Sequence, residues 1–115
     1  MFKKTKVLKS LGIAALAAGL VACDGADERK AKYMEEGSRL FQAGDYEKAQ
    51  LAYKNVLQID PKHWESRYQM AETLSKQGKI ENAFREYNTI VTNDENHVMS
   101  RVRVGQLLLL NGAVG

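Results

Sequence analysis

KAKYMEEGSRLFQAGDYEKAQLAYKNVLQIDPKH, residues 30–63, and WESRYQMAETLSKQGKIENAFREYNTIVTNDENH, residues 64–97, are two versions of one pattern. A shift of 34 residues brings Gly37, Ala71 and Gly105 into one column, and Leu40, Leu74 and Leu108 into another. Gly44, Gly78 and Gly112 make a third; Ala49 pairs with Ala83, Tyr53 with Tyr87 and Asp60 with Asp94. A fixed period of this size marks stacked units, none of which buries its apolar face alone. The columns assign roles. Small residues at Gly37/Ala71/Gly105 and Ala49/Ala83 let two helices approach closely, and large ones at Leu40/Leu74 and Tyr53/Tyr87 fill the space beside them. Gly44 and Gly78 end the first helix of each pair, where a left-handed backbone is needed. Asp60-Pro61 reads as the cap and start of the next helix. The pattern predicts helices over 30–43, 46–59, 64–77, 80–92 and 98–111.

These residues resemble the tetratricopeptide repeat. Residues 30–63 supply Tyr33, Gly37, Leu40, Gly44, Tyr46, Ala49, Tyr53, Val56 and Pro61 to the family pattern. Residues 64–97 supply Met70, Ala71, Leu74, Gly78, Ala83, Tyr87 and Ile90, and depart from it at Arg67 and Glu95, where an aromatic and a proline are usual. A third unit starts at Val98 with Val104, Gly105, Leu108 and Gly112. The resemblance implies an all-α, helical-hairpin solenoid over 30–115: two full repeats (30–63 and 64–97) and the first helix of a third (98–115, partial). About three repeats usually make such an array stable, and a terminal helix should turn a polar face outward. Val98 to Leu110, VMSRVRVGQLLLL, has no such face. The chain is therefore expected to be the N-terminal part of a longer repeat protein, or to self-associate through Val102, Val104 and Leu108.

Ahead of the repeats lies a different kind of segment. Met1 to Lys9 carries four lysines and no acid, and Leu11 to Ala22 (LGIAALAAGLVA) is apolar and uncharged. A cationic start, a short apolar run and small residues before a cleavage point are the features of a secretory signal. Twelve apolar residues fall short of the roughly 20 that a spanning helix needs. Leu20-Val21-Ala22-Cys23 resembles the lipobox of bacterial lipoproteins. That resemblance implies a signal peptide over 1–22, a lipidated Cys23 as the first mature residue, and a short tether over 23–29. An aspartate after the cysteine, here Asp24, resembles the signal that retains such proteins in the inner membrane. The expected location is the cell envelope, lipid-anchored and facing the periplasm. Two or more acyl chains hold a protein firmly without any spanning helix.

Composition excludes several functions. Lys3, Lys4, Lys6 and Lys9 account for the formal charge of +3; from Cys23 onward 13 basic residues face 14 acidic ones. A near-neutral protein offers no electrostatic footprint for nucleic acid. One cysteine allows neither an internal disulfide nor a cysteine-rich metal site. His63 and His97 occupy equivalent turns of successive repeats, a helix layer or about 10 Å apart, and are read as solvated. Glu35-Glu36 and Asp94-Glu95 read as solvated faces. No catalytic residue, metal site or cofactor is expected beyond the covalent lipid, and the chain does not read as an enzyme.

Surface is what remains. By resemblance, the concave face is lined by the first helices, which places Met34, Phe41, Tyr68, Glu72, Met99, Val102, Gln106 and Leu109 in a partner-binding groove. The basic clamp that some family members use for carboxylate tails is missing: Met34 and Met99 stand where lysines would, and only Arg103 matches. Such a groove suits an apolar peptide or amphipathic helix. The expected function is a membrane-anchored periplasmic scaffold for protein–protein interaction. It resembles repeat lipoproteins that are accessories to surface assembly or export, of the exopolysaccharide and exosortase type. A pilus-biogenesis or outer-membrane-assembly lipoprotein, and the N-terminal regulatory part of a longer envelope enzyme, stand as alternatives.

Overall fold

The computed structural model describes residues 25–114, which form five α-helices: α1 (residues 25–42), α2 (Tyr46–Ile59), α3 (Trp64–Lys76), α4 (Ile80–Asn93) and α5 (Val98–Val114). The leader, Cys23 and Asp24 lie outside the described residues. Among the described residues there is no strand, and no helix is long and apolar enough to cross a membrane.

Two glycines make the hairpins. Gly44 (φ +80°) and Gly78 (φ +77°) are left-handed. After each, the chain turns back on the preceding helix in the same way. The Asp45 amide donates to the Leu40 carbonyl at 2.9 Å and the Gly44 amide to Phe41 at 3.0 Å; Lys79 to Leu74 (2.9 Å) and Gly78 to Ser75 (3.0 Å) repeat the pair. These are the six-to-one and five-to-two bonds that satisfy the last carbonyls of a helix. Asp45 then caps α2, its carboxylate accepting from the Lys48 amide.

Gly112 departs from its column. It was expected to begin a third such turn, but α5 runs through it to Val114, and its φ is not positive. Residues 25–29, read as tether, are also helical. Lys30 fastens this first stretch to the repeats, pairing with Asp27 (3.1 Å) and with Asp60 at the end of α2 (3.4 Å).

The core follows the columns. Ala49, Tyr53, Ala71, Leu74, Ala83, Tyr87 and Ile90 are buried, with Met34, Leu40, Phe41, Trp64, Val104 and Leu107 packed against them. Helix α3 packs on both α2 and α4, and α4 on α5. Burying one such large side chain contributes about 1.5–3 kcal/mol. The all-α repeat architecture expected from the 34-residue period is the one observed.

Candidate partner-binding surfaces

The turns between repeats hold the histidines, and these are not simply solvated. His63 caps α3: its Nδ1 accepts from the Ser66 amide at 3.2 Å. His97 does the same at the start of α5, accepting from the Ser100 amide at 3.3 Å. Before each histidine an aspartate side chain accepts from the amide two residues on, Asp60 from Lys62 and Asp94 from Asn96. The Asp60 and Asp94 carbonyls accept from the His63 and His97 amides, both at 3.1 Å. Asp60 therefore closes α2 while His63 opens α3, which corrects the reading of Asp60-Pro61 as the helix start. The columns His63/His97 and Ser66/Ser100 belong to the repeat. A histidine ring with a free Nδ1 does the work of an asparagine or aspartate cap.

The expected groove splits four ways. Tyr68 is not free surface: it is 8% exposed, its ring 5.7 Å from Tyr87 and 5.6 Å from His97. Met34 and Phe41 are half-buried against the core, with Phe41 edge-on to Tyr46 at 5.4 Å. Met99, Val102, Gln106 and Leu109, all on α5, are exposed. Val102 is in register with Tyr68, so it belongs to the face that a following helix would cover rather than to the concave one.

Glu72 is engaged within the fold. Arg103 grips it with two nitrogens, Nε to Oε1 at 2.6 Å and Nη2 to Oε2 at 3.0 Å. The Tyr87 hydroxyl also donates to Oε1, at 2.6 Å. Paired donation from a guanidinium is the strongest geometry available to a carboxylate. Burial alone would raise the Glu72 carboxyl, but the hydrogen bonds from Arg103 and Tyr87 outweigh it and hold it below the ordinary carboxylate range. Burial, and then the neighbouring Glu72, push the Tyr87 hydroxyl well above its usual value. This network ties α3, α4 and α5 together. Arg103, the lone match to a carboxylate clamp, is already occupied by a carboxylate of its own chain. A cavity of about 310 Å³ lies beside it, lined by Glu72, Ser75, Lys76, Tyr87, Arg103, Gln106 and Leu107.

Chemistry is sparse elsewhere. Among the described residues no group of three or more His, Cys, Asp or Glu is placed to hold a metal ion. A larger groove, about 650 Å³, runs between α2 and α4 on the opposite side; Arg67 crosses it to Glu86, with Nη1 2.7 Å from Oε2.

Residues 40–102, more than half of the chain, match the tetratricopeptide repeat family, and the chain belongs to it. No curated protein matches the chain. Repeats of this family make a protein–protein interaction scaffold, and the fold is generally non-catalytic. The apolar outer face expected from Val98 to Leu110 is present at Val102 and Leu108, which are exposed, whereas Val104 packs against the core.

Proposed function

We propose that this protein is a lipid-anchored scaffold of the bacterial envelope that holds a partner protein beside the membrane, as an accessory to surface assembly or export of the exopolysaccharide and exosortase type. The observation that carries the reading is the cationic and apolar leader ending in Leu20-Val21-Ala22-Cys23, directly ahead of a repeat scaffold. In this reading Cys23 carries the lipid and Asp24 favours the inner membrane. The described helix starts two residues after Cys23, so the repeats would stand against the lipid surface rather than on a long leash. The partner-facing side chains in this reading are the exposed α5 residues Met99 and Gln106.

The test is metabolic labelling with a palmitate analogue, followed by fractionation of cells that carry the wild type or Cys23→Ser. The wild type should take label and sediment with membranes, and the variant should do neither. An unlabelled wild type, or a variant cleaved and fractionated identically, would overturn the lipoprotein reading and leave the repeat scaffold standing.

A further inference from the structure

The two turns between repeats are capped alike and held unequally. Nδ1 of His63 accepts from the Ser66 amide at 3.2 Å, and Nδ1 of His97 from the Ser100 amide at 3.3 Å. A ring nitrogen accepts only while it carries no proton; the charged imidazolium donates from both nitrogens. Protonation therefore removes the acceptor and sets a positive charge against the positive end of a helix. Ser66 and Ser100 are both 0% exposed. An amide released there has no water to take the place of the imidazole until the turn opens, and a buried donor without a partner is costly.

What else holds each turn differs. At the first, the Ser66 hydroxyl donates to the His63 carbonyl (2.8 Å). Arg67 donates there from Nη2 to the Pro61 carbonyl (3.1 Å) and from Nη1 to Glu86 of α4 (2.7 Å). Asp60 pairs with Lys30 of α1 at 3.4 Å. At the second turn the Ser100 hydroxyl is buried with no hydrogen-bond partner among the described residues. Arg101 donates there only to the Glu95 carbonyl, at 3.4 Å. The charged groups around His63 are thus Asp60, Lys30, Arg67 and Glu86, with Lys62 and Glu65 beside it in sequence. Around His97 they are Asp94, Glu95 and Arg101 of its own turn and helix, and Tyr68 of α3, whose ring lies 5.6 Å away. Burial, and then the Glu72 that Arg103 grips, push the Tyr68 hydroxyl up.

We propose that the two inter-repeat turns are acid-labile joints, and that the one between α4 and α5 opens first. Each cap needs the neutral ring. The stability it supplies is therefore present at neutral pH and is lost with acid, across the span from about pH 8 to about pH 5 in which histidine takes up its proton. One cap is worth about fivefold in the folding equilibrium constant. Once the caps are gone, the bonds of Ser66 and Arg67 still hold the α2–α3 turn, while the α4–α5 turn keeps only the Arg101 contact. Acid thus frees the start of α5 while α2, α3 and α4 stay packed. The inference stands apart from the scaffold and lipid readings, and the Cys23→Ser result leaves it untouched.

The test follows urea unfolding and amide hydrogen exchange of the full chain between about pH 7.5 and about pH 5, beside His63→Asn, His97→Asn and the double variant. Asparagine caps a helix but does not titrate, and the variants keep every other charged group. Relative to the double variant, the folding constant of the wild type should fall with acid by about fivefold for each cap. Each single variant should show the loss of one cap. In the wild type the Ser100 amide should lose its protection, read against the amides of α4, at a higher pH than the Ser66 amide does. Parallel pH profiles for the wild type and the double variant would overturn the proposal. So would serine amides that both keep their protection at about pH 5. Ser66 opening first, or together with Ser100, would overturn the order of opening. The exchange measurement needs no variant and decides the matter if an asparagine chain does not fold.

Discussion

Gly37 and Gly105 share a column of the repeat and make opposite demands. At Gly37 the absent side chain is a requirement, because the Tyr53 ring lies where a Cβ would go. At Gly105 the same absence leaves a hollow. A glycine inside a helix lowers stability by roughly 0.5–1 kcal/mol relative to alanine unless something uses the space. Tyr53 uses it at one end of the stack; at the other, no described residue does. The two ends thus show what a repeat column encodes: a slot and its filling, where the filling comes from the next helix.

The largest expected effect sets these two positions against each other. Gly37→Ala drives a methyl group into a ring that is itself buried, and should destabilise toward the upper end of the about 1–3 kcal/mol typical of overpacking. Gly105→Ala should stabilise the isolated chain by about 0.5–1 kcal/mol, since alanine is the better helix former and meets nothing. Urea unfolding of both variants checks this. A shift in the same direction for both would break the comparison.

Next in size is the brace that ties α3 and α4 to α5, at the Gly105 end of the stack. Glu72 is held below the ordinary carboxylate range in the fold, so the stability it supplies is fully present above its unfolded value of about 4.5. It is lost as pH falls through the lower folded value, because the unfolded chain then takes up the proton more readily. Hydrogen bonds to a charged group contribute about 1.5–3 kcal/mol. Glu72→Gln should therefore lower stability by about that at neutral pH, and the gap to the wild type should narrow below pH 4.5. An unchanged gap from neutral to acid pH would remove Glu72 from this role.

The smallest effect tests whether the two inter-repeat turns are equivalent. His63→Ala and His97→Ala should each cost about 1 kcal/mol, the usual worth of a helix N-cap. The His97 ring also packs, tilted, against the Tyr68 ring, so its loss should be at least as large. Asparagine at either position should recover most of the stability, and thermal melts of the four variants decide it. Silent alanine variants would show that the imidazole caps contribute little.

Much of this architecture is legible in one dimension. Gly44 and Gly78 sit where the backbone must be left-handed, and α2 spans Tyr46–Ile59, the predicted range. The concave groove was legible only in part. Tyr68 and Glu72 look like surface residues of a first helix, but helix period alone does not say which of two adjacent faces a neighbour covers. Val102 and Leu109 share that ambiguity. The histidine caps were hidden for a different reason: a lone histidine in a turn carries no capping signature comparable to aspartate or serine.

What the sequence determined by itself is the period, the hairpin turns and the identity of the packing columns, because each rests on local backbone chemistry or on residue size at fixed spacing. Tertiary structure alone decided the partners. Arg103 could have faced solvent or a ligand, and it grips Glu72, 31 positions earlier in the chain. Gly112 had the residue type of a turn, and α5 runs through it to Val114. Gly105 had the residue type of a contact and stands open, since a contact needs two surfaces and its own helix supplies one.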